Sequence, residues 1–325
     1  MKKHLNHDGK LNEYFRFNFD QKLESIEQKM IKVNDIVDRK GAYPSIKVKK
    51  YSTKYSISKD SSRFEKRKKI LGIITIKNNS KMLEYTLDNL RDKSFYDYCD
   101  LLVVDDRSTE DIKEIVLKNN CMYVRADYDG LFNFSMVNNI GALFAIQQGY
   151  DEILFWNSDL WIPDENTLKV FFKNHTNAGS TFTGAKLLYP PEYQSFREIE
   201  DDKRMTIQFG GCEFDSQPHL GCFFVRHAGR YLPHDSFLHS QNHHIPFVTA
   251  AITLIKSSLF RELSGFNPSL KINFQDLDLC LRACELGHIP YYVGKDCHFY
   301  HDEGIELGSS HYEEEKLKDA LLYSK

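Results

Sequence analysis

The chain reads as an α/β protein with a mainly parallel sheet, and three observations predict it. First, short apolar runs of strand length alternate with segments of helical spacing from about residue 69 to 185. Second, each of these runs breaks off in polar residues rather than in a tight hairpin turn, so the connections are long enough for helical crossovers. Third, hydrophobic residues make up 41% and aromatics 13% of 325 residues, enough to bury a substantial core.

The elements follow in order. LGIITI (71–76) is the first strand, and KNNS after it supplies a turn and a helix start, with a helix over about 80–92. LLVVDD (101–106) is the second strand and ends in two aspartates; Ser108 and Thr109 are expected to cap a helix at about 110–119. CMYVRA (121–126) is a third strand, FNFSMVNNIGALFAIQQG (132–149) a helix, and EILFW (152–156) a fourth strand. From 186 to 246 the chain is polar and weakly patterned, and order returns with FVTAAITLIKSSLF (247–260) and FQDLDLCLRACELG (274–287). In the last of these, Leu277, Cys280, Leu281 and Cys284 recur at helical spacing and define a buried face. A final amphipathic segment, about 306–325, predicts a C-terminal helix.

Residues 1–68 form an extension of a different kind. Phe19, Leu23, Ile26, Met30, Val33 and Val37 recur at steps of 4, 3, 4, 3 and 4, a heptad-like stripe over fewer than three heptads. Such a helix can dock on its own domain or mediate oligomerisation. Residues 46–69 hold ten Lys and Arg against Asp60 and Glu65, with Tyr51, Tyr55 and Phe64 between them. That segment reads as a solvated linker or as a peripheral contact with an anionic membrane surface.

Several functional classes are excluded or demoted. A net charge of −3 without any recognisable module gives no reason to expect nucleic acid. The turn after the first strand is KNNSKM, so the glycine fingerprint of a dinucleotide site is absent, and neither a P-loop nor a G-x-S-x-G elbow occurs. Seven cysteines with no C-x-x-C pair indicate a reducing, cytoplasmic setting rather than a disulfide framework. No signal-like or membrane-spanning apolar run occurs in the sequence.

The polar residues at the strand ends carry the chemistry. Ligands of open parallel sheets lie beyond the carboxyl ends of the strands, where Thr75, Asp106 and Asp159 fall. FWNSDLW (155–161) places Asn157 and Asp159 in an otherwise apolar stretch, and side chains two apart on a strand share a face. Asp159 is then either a cap or, with Asn157, a ligand for a hard cation such as Mg²⁺ or Mn²⁺ completed by phosphates. Asp276 sits at a predicted helix start, as an N-cap or as a carboxylate held ready to accept a proton. Asp278 and Arg282, four apart, are expected to pair. Cys280, Cys284, Cys297 and His301 fit no standard zinc spacing.

Taken in order, Thr75, VVDDRS (103–108), FNFSMVNN (132–139), NSD (157–159), VTAAITLIKSSLF (248–260), GF (265–266), FQDLDLCLR (274–282) and YHDEG (300–304) resemble family-2 glycosyltransferases of GT-A fold. The likeness is to bacterial surface-polysaccharide enzymes, including rhamnosyltransferase-like members, and covers about residues 69–305. It implies a nucleotide-sugar-binding half (69–185) and an acceptor and catalytic half (186–305). It also implies roles: Thr75 and Asp106 at the base and ribose, Asn138 and Asn139 lining the donor site, Asp159 on a divalent cation (Mn or Mg), His301 near the metal or diphosphate, and Asp276 as catalytic base. The implied donor is a UDP- or dTDP-linked sugar and the implied acceptor a glycan, a lipid-linked glycan or a protein. The implied place is the cytoplasm or the inner face of the membrane. The sequence departs from the family pattern in reading Asn-Ser-Asp where two acids are usual, and in placing Gln275 before the presumed base. A nucleotide-sugar-binding scaffold subunit of weak activity is the competing expectation.

Overall fold

The protein is described here from a computed structural model. It describes residues 68–126, 128, 131–191, 203–217, 222–302, 316 and 318–319. The expected helix at 19–37, nearly all of the basic segment 46–69 and most of the C-terminal segment lie outside the described residues.

The expected α/β order is present. Strands β1 (Ile70–Ile76), β2 (Cys99–Asp105), β3 (Met122–Arg125) and β4 (Glu152–Asn157) run parallel, with helices α1 (Ser80–Asp92), α2 (Ile112–Lys118) and α3 (Phe134–Gln147) as crossovers. β1 lies between β2 and β4, and the register sets Thr75 level with Val104 on one side and Asn157 on the other. β1 and β4 are apolar along nearly their whole length because helices cover both faces of the sheet. α3 packs so closely that a Cβ on Gly141 would stand 2.7 Å from Ile73 Cγ2, which explains a glycine in mid-helix.

The helix starts correct the sequence reading in detail. Asp111, not Ser108 or Thr109, caps α2, accepting from the Glu114 amide. Ser108 Oγ instead accepts from the Asn78 amide at 2.7 Å, and Asn78 Oδ1 accepts from Thr109, so these residues tie the loop after β2 to the loop after β1. Asn133 caps α3.

Beyond β4 the chain passes through β5 (Leu160–Trp161), α4 (Asn166–Ala178), β6 (Phe182–Ala185), β7 (Leu187–Leu188), β8 (Ile207–Phe209), a hairpin of β9 (Cys212–Gln217) and β10 (Cys222–His227), β11 (His243–His244) and β12 (Ile252–Lys256). α5 (Ser257–Glu262), α6 (Gln275–Glu285), β13 (Tyr291–Val293) and β14 (Phe299–His301) complete the described elements. The large sheet has the order β11-β13-β6-β12-β4-β1-β2-β3, with β12 antiparallel to β4. A smaller sheet, β5-β14-β7-β8, rises from the end of β4.

On α6, Leu277 and Cys280 are buried as expected, whereas Leu281 and Cys284 are only partly so. Trp156 and Trp161 are core residues, their indole N–H groups donating to the Leu160 carbonyl and to Thr86 Oγ1. Among the described residues no helix is long and apolar enough to cross a membrane.

Candidate active site

Three strand ends and one helix start converge. Asp159 lies in the turn between β4 and β5, and its Oδ1 is 3.1 Å from His301 Nε2 at the end of β14. Asn157 Nδ2 lies 3.2 Å from the same nitrogen. The strand alternation expected to bring Asn157 and Asp159 together is interrupted at residue 157; His301 brings them together instead. The backbone fixes this arrangement, because the Asp302 amide donates to the Asp159 carbonyl at 3.0 Å and His301 pairs with Leu160.

Gln208, 1% exposed, decides the state of the imidazole. Its Nε2 donates to the His301 carbonyl at 3.2 Å, which turns its Oε1 toward His301 Nδ1 at 2.7 Å. Nδ1 therefore carries a proton, and Nε2 meets the Asp159 carboxylate at ion-pair distance with the Asn157 amide beside it. Either a proton on Nε2 or a bound cation joins the imidazole to the carboxylate. A histidine whose far nitrogen is anchored by a buried amide is the arrangement usual at metal sites. Among the described residues no three His, Cys, Asp or Glu side chains gather as a closed metal cage. A carboxylate, an imidazole and an amide fit an open site that leaves most positions to ligand oxygens and water.

Asp276 is in the first turn of α6 and is partly buried. Its Oδ2 accepts from the Ala250 amide at 3.2 Å and its Oδ1 from the Leu277 amide at 2.9 Å. The next carbonyl, that of Ala251, accepts from the Asn157 amide at 3.0 Å, so one dipeptide joins Asp276 to the end of β4. Burial raises the Asp276 pKa above the ordinary aspartate value, against the lowering effect of the Ala250 amide and of nearby His227. His227 Nδ1 lies 3.3 Å from the Gln208 carbonyl, placing one glutamine backbone between the two histidines. Beside the aspartate, Gln275 Oε1 is buried and has no hydrogen-bond partner among the described residues, an acceptor open to a ligand hydroxyl.

The loop before α6 is firmly held. Asn133 Nδ2, Ser135 Oγ and the Phe134 amide donate to the carbonyls of Pro268, Leu270 and Lys271. Asp319, 1% exposed, accepts from the amides of Lys271, Ile272 and Asn273 at 3.0, 2.7 and 2.9 Å. Phe274 then adopts a positive φ of 65° immediately before the helix.

Thr75 is buried level with Asn157. Asp106 is fully buried, and its oxygens meet Lys77 Nζ at 3.2 Å and Arg107 Nε at 2.9 Å. The Arg107 guanidinium lies 3.9 Å from the Tyr128 ring centroid. The two asparagines expected at the donor site both bond to backbone groups. Asn138 Nδ2 donates to the Phe134 carbonyl of its own helix. Asn139 clamps the Phe266 backbone, donating to its carbonyl at 2.8 Å and accepting from its amide at 2.9 Å. The same clamp explains Gly265: at φ 73° it favours glycine, and a Cβ there would stand 2.6 Å from Asn139 Oδ1. The N-terminus of α1 is also unavailable to a phosphate, since Glu110 accepts from the Asn79 and Ser80 amides at 3.0 and 2.7 Å.

Sequence reasoning missed Gln208, Lys77, Arg107 and His227. The Arg107 in VVDDRS was the one visible signal; Gln208 lies in the unpatterned stretch and gave none.

Comparison with known proteins identifies the fold. The crystal structure of GalNAc-T7 with UDP, GalNAc and Mn²⁺ superposes with a TM-score of 0.52 at 14% identity, covering 76% of this chain and 46% of that one. The chain has a GT-A fold. The mannosyltransferase PcManGT from Pyrobaculum calidifontis, solved with GDP-Man and Mn²⁺, gives a TM-score of 0.48 at 13% identity over 73% of this chain and 57% of that one. In sequence, an uncharacterized protein of Sinorhizobium fredii is 28% identical over 73% of this chain. The O-antigen biosynthesis protein RfbC of Myxococcus xanthus is 24% identical over 66% of it. The matches span 24% and 16% of those two proteins, so the GT-A chain corresponds to a minor part of each. No protein-family profile matches the chain.

Proposed function

We propose that this chain is an inverting glycosyltransferase. It moves a sugar from a UDP- or dTDP-linked donor to a hydroxyl of a glycan-type acceptor, in the synthesis of a bacterial surface polysaccharide. The observation that carries the reading is the pairing of Asp159 Oδ1 with His301 Nε2 at 3.1 Å beside Asn157, whose strand end one dipeptide joins to Asp276, a carboxylate of raised pKa. The GT-A fold supports it, as does RfbC, whose own role is O-antigen biosynthesis.

Asp159 and His301 would hold a divalent cation, with Asn157 at hand. When bound, Mn²⁺ or Mg²⁺ there supplies positive charge next to the donor diphosphate. Asp276 accepts the proton of the acceptor hydroxyl as that oxygen bonds to the anomeric carbon. The bond from that carbon to the diphosphate oxygen breaks, and its electron pair leaves with the nucleoside diphosphate. Attack opposite the leaving group inverts the anomeric centre. A carboxylate whose pKa lies above the usual range is a stronger base, which suits the step. Thr75 and the Lys77–Asp106–Arg107 group flank the nucleotide, the buried Asp106 acting by holding two cations in place.

The test is a screen of UDP-, dTDP- and GDP-sugars for release of nucleoside diphosphate, with and without Mn²⁺, on wild type and Asp159→Ala. Release from one donor, dependent on metal and lost in the variant, is the expected result. No release from any donor, together with no nucleotide-induced rise in melting temperature, refutes the proposal.

A further inference from the structure

We propose that Asp319 is a positioning residue for Asp276: its carboxylate fixes the backbone that leads into α6 and so sets where the proton-accepting carboxylate stands. This rests on the glycosyltransferase reading and adds to it a residue from outside the stretch 69–305.

No local side chain defines the start of α6. Phe274 occupies the N-cap place, offers the helix no side-chain bond and adopts φ 65°. Ser, Thr, Asp or Asn is the usual residue there. A bulky residue persists at such a φ only where its surroundings impose it. The residues just before Phe274 are held from a distance. The Lys271 amide donates to Asp319 Oδ1 at 3.0 Å, and the Ile272 and Asn273 amides to its Oδ2 at 2.7 and 2.9 Å. Three successive N–H groups converging on one anion require a curled backbone. The dihedral angles ahead of Phe274 are therefore matched to a side chain 46–48 residues further along the chain. That carboxylate is 1% exposed, a depth at which a charge needs bonds of this charge-assisted kind.

The grip on the loop changes hands at Lys271. Up to that residue α3 holds the loop by the carbonyls of Pro268, Leu270 and Lys271. From there on, the amides belong to Asp319, whose backbone is helical, as is that of Lys316 and Lys318. Asp276 follows in the first turn of α6 and joins two elements: Oδ1 accepts from the Leu277 amide of its own helix, and Oδ2 from the Ala250 amide ahead of β12 at 3.2 Å. The second bond exists only while the first turn stands correctly against that strand. A displacement of α6 by about 1 Å would take it out of hydrogen-bonding range. The same displacement would move the carboxylate off the acceptor hydroxyl. The C-terminal segment, expected from the sequence as an appendage, thus completes the catalytic half.

The experiment compares the full chain with its Asp319→Asn and Asp319→Glu variants in hydrolysis of UDP-, dTDP- and GDP-sugars. In that reaction water replaces the acceptor hydroxyl and Asp276 takes its proton. Binding of UDP, dTDP and GDP with Mn²⁺, and the melting temperature, are measured alongside. Asparagine exchanges one acceptor oxygen for an amino group, so at least one of the three amides is left facing an N–H. Asp319→Asn is expected to lower kcat by about 10²-fold, the scale of a misplacement of about 1 Å, with donor KM and nucleotide affinity unchanged. Asp319→Glu keeps the charge one methylene further out, and its kcat should fall between the two. Wild-type kcat in Asp319→Asn, whatever its melting temperature, makes Asp319 a residue of the fold alone and overturns the proposal, while the glycosyltransferase reading stands. A parallel loss of kcat and nucleotide affinity, the mark of general loosening, overturns it too. If Asp319→Asn does not fold, Asp319→Glu decides: a lowered kcat with nucleotide affinity unchanged supports the proposal, and wild-type kcat overturns it. A wild type that releases nucleoside diphosphate from no donor removes both readings.

Discussion

Two strand ends in this molecule carry carboxylates and treat them in opposite ways. At the end of β2, Asp105 accepts from Tyr123 Oη at 2.7 Å, Arg125 Nη1 at 2.9 Å and the Ser108 amide at 2.8 Å, and Asp106 is matched by Lys77 and Arg107. Every one of these charges is answered by protein. At the end of β4, Asp159 meets the imidazole of His301, whose other nitrogen Gln208 holds. The first end is answered by fixed cations and amides; the second is answered by a histidine whose charge depends on a proton. Permanent charges build structure, and a carboxylate matched by a titratable imidazole is the one a cation can claim.

The largest expected effect comes from Asp276, the proposed proton acceptor. Asp276→Asn should lower glycosyl transfer by about 10²–10⁴-fold while leaving the fold intact, measured as kcat on purified enzyme against its melting curve. Its pH dependence follows from the raised pKa. The folded state favours the protonated form, so wild-type stability declines as pH rises from the ordinary aspartate pKa through the raised one, and Asp276→Asn should remove that decline. Activity should run oppositely, falling on the acid side at a pH above the ordinary aspartate value. An acid limb at the ordinary aspartate value would show that burial does not govern this group.

Next in size is the satisfied end. Asp105→Ala leaves the Tyr123 hydroxyl and the Ser108 amide without their acceptor, whereas Arg125, 50% exposed, can return to water. A loss of about 2–3 kcal/mol in urea denaturation is expected, short of the cost for a wholly buried pair. Metal affinity should not move. If Asp105→Ala abolished metal binding with little loss of stability, the contrast between the two ends would fail.

Gln208→Leu sharpens the contrast from the other side. It frees His301 to change tautomer, and Mn²⁺ affinity in the presence of nucleotide should fall by about 10–100-fold with only modest destabilisation, as read by calorimetric titration. The smallest effect belongs to Asn138→Ala, which removes a bond to its own helix and should change both stability and nucleotide affinity by no more than about 0.5 kcal/mol.

These contrasts also show what the sequence could and could not tell. β1, β2 and β4 were legible because buried parallel strands are continuous apolar runs, and α6 because Leu277 and Cys280 keep helical spacing. The Asp278–Arg282 pair, at 2.6 Å, was legible from its spacing alone. Asp159 and Asp276 stood out as acids in apolar surroundings. Gln208 did not, because a neutral amide in a polar stretch looks like any loop residue until the small sheet sets it against His301. The clamp made by Asn139 was illegible for a related reason: its amide serves a backbone 127 residues away, and no local pattern encodes such a partner.

The central claim is that Asp159 and His301 together hold a cation for a nucleoside diphosphate. Electron paramagnetic resonance of Mn²⁺ titrated with UDP, dTDP and GDP, on wild type and on His301→Ala, tests it most directly. The account predicts that free Mn²⁺ signal disappears with wild type only when one of these nucleotides is present, and that His301→Ala leaves it in solution. Equal capture of Mn²⁺ by both proteins, or by neither with any nucleotide, would contradict it.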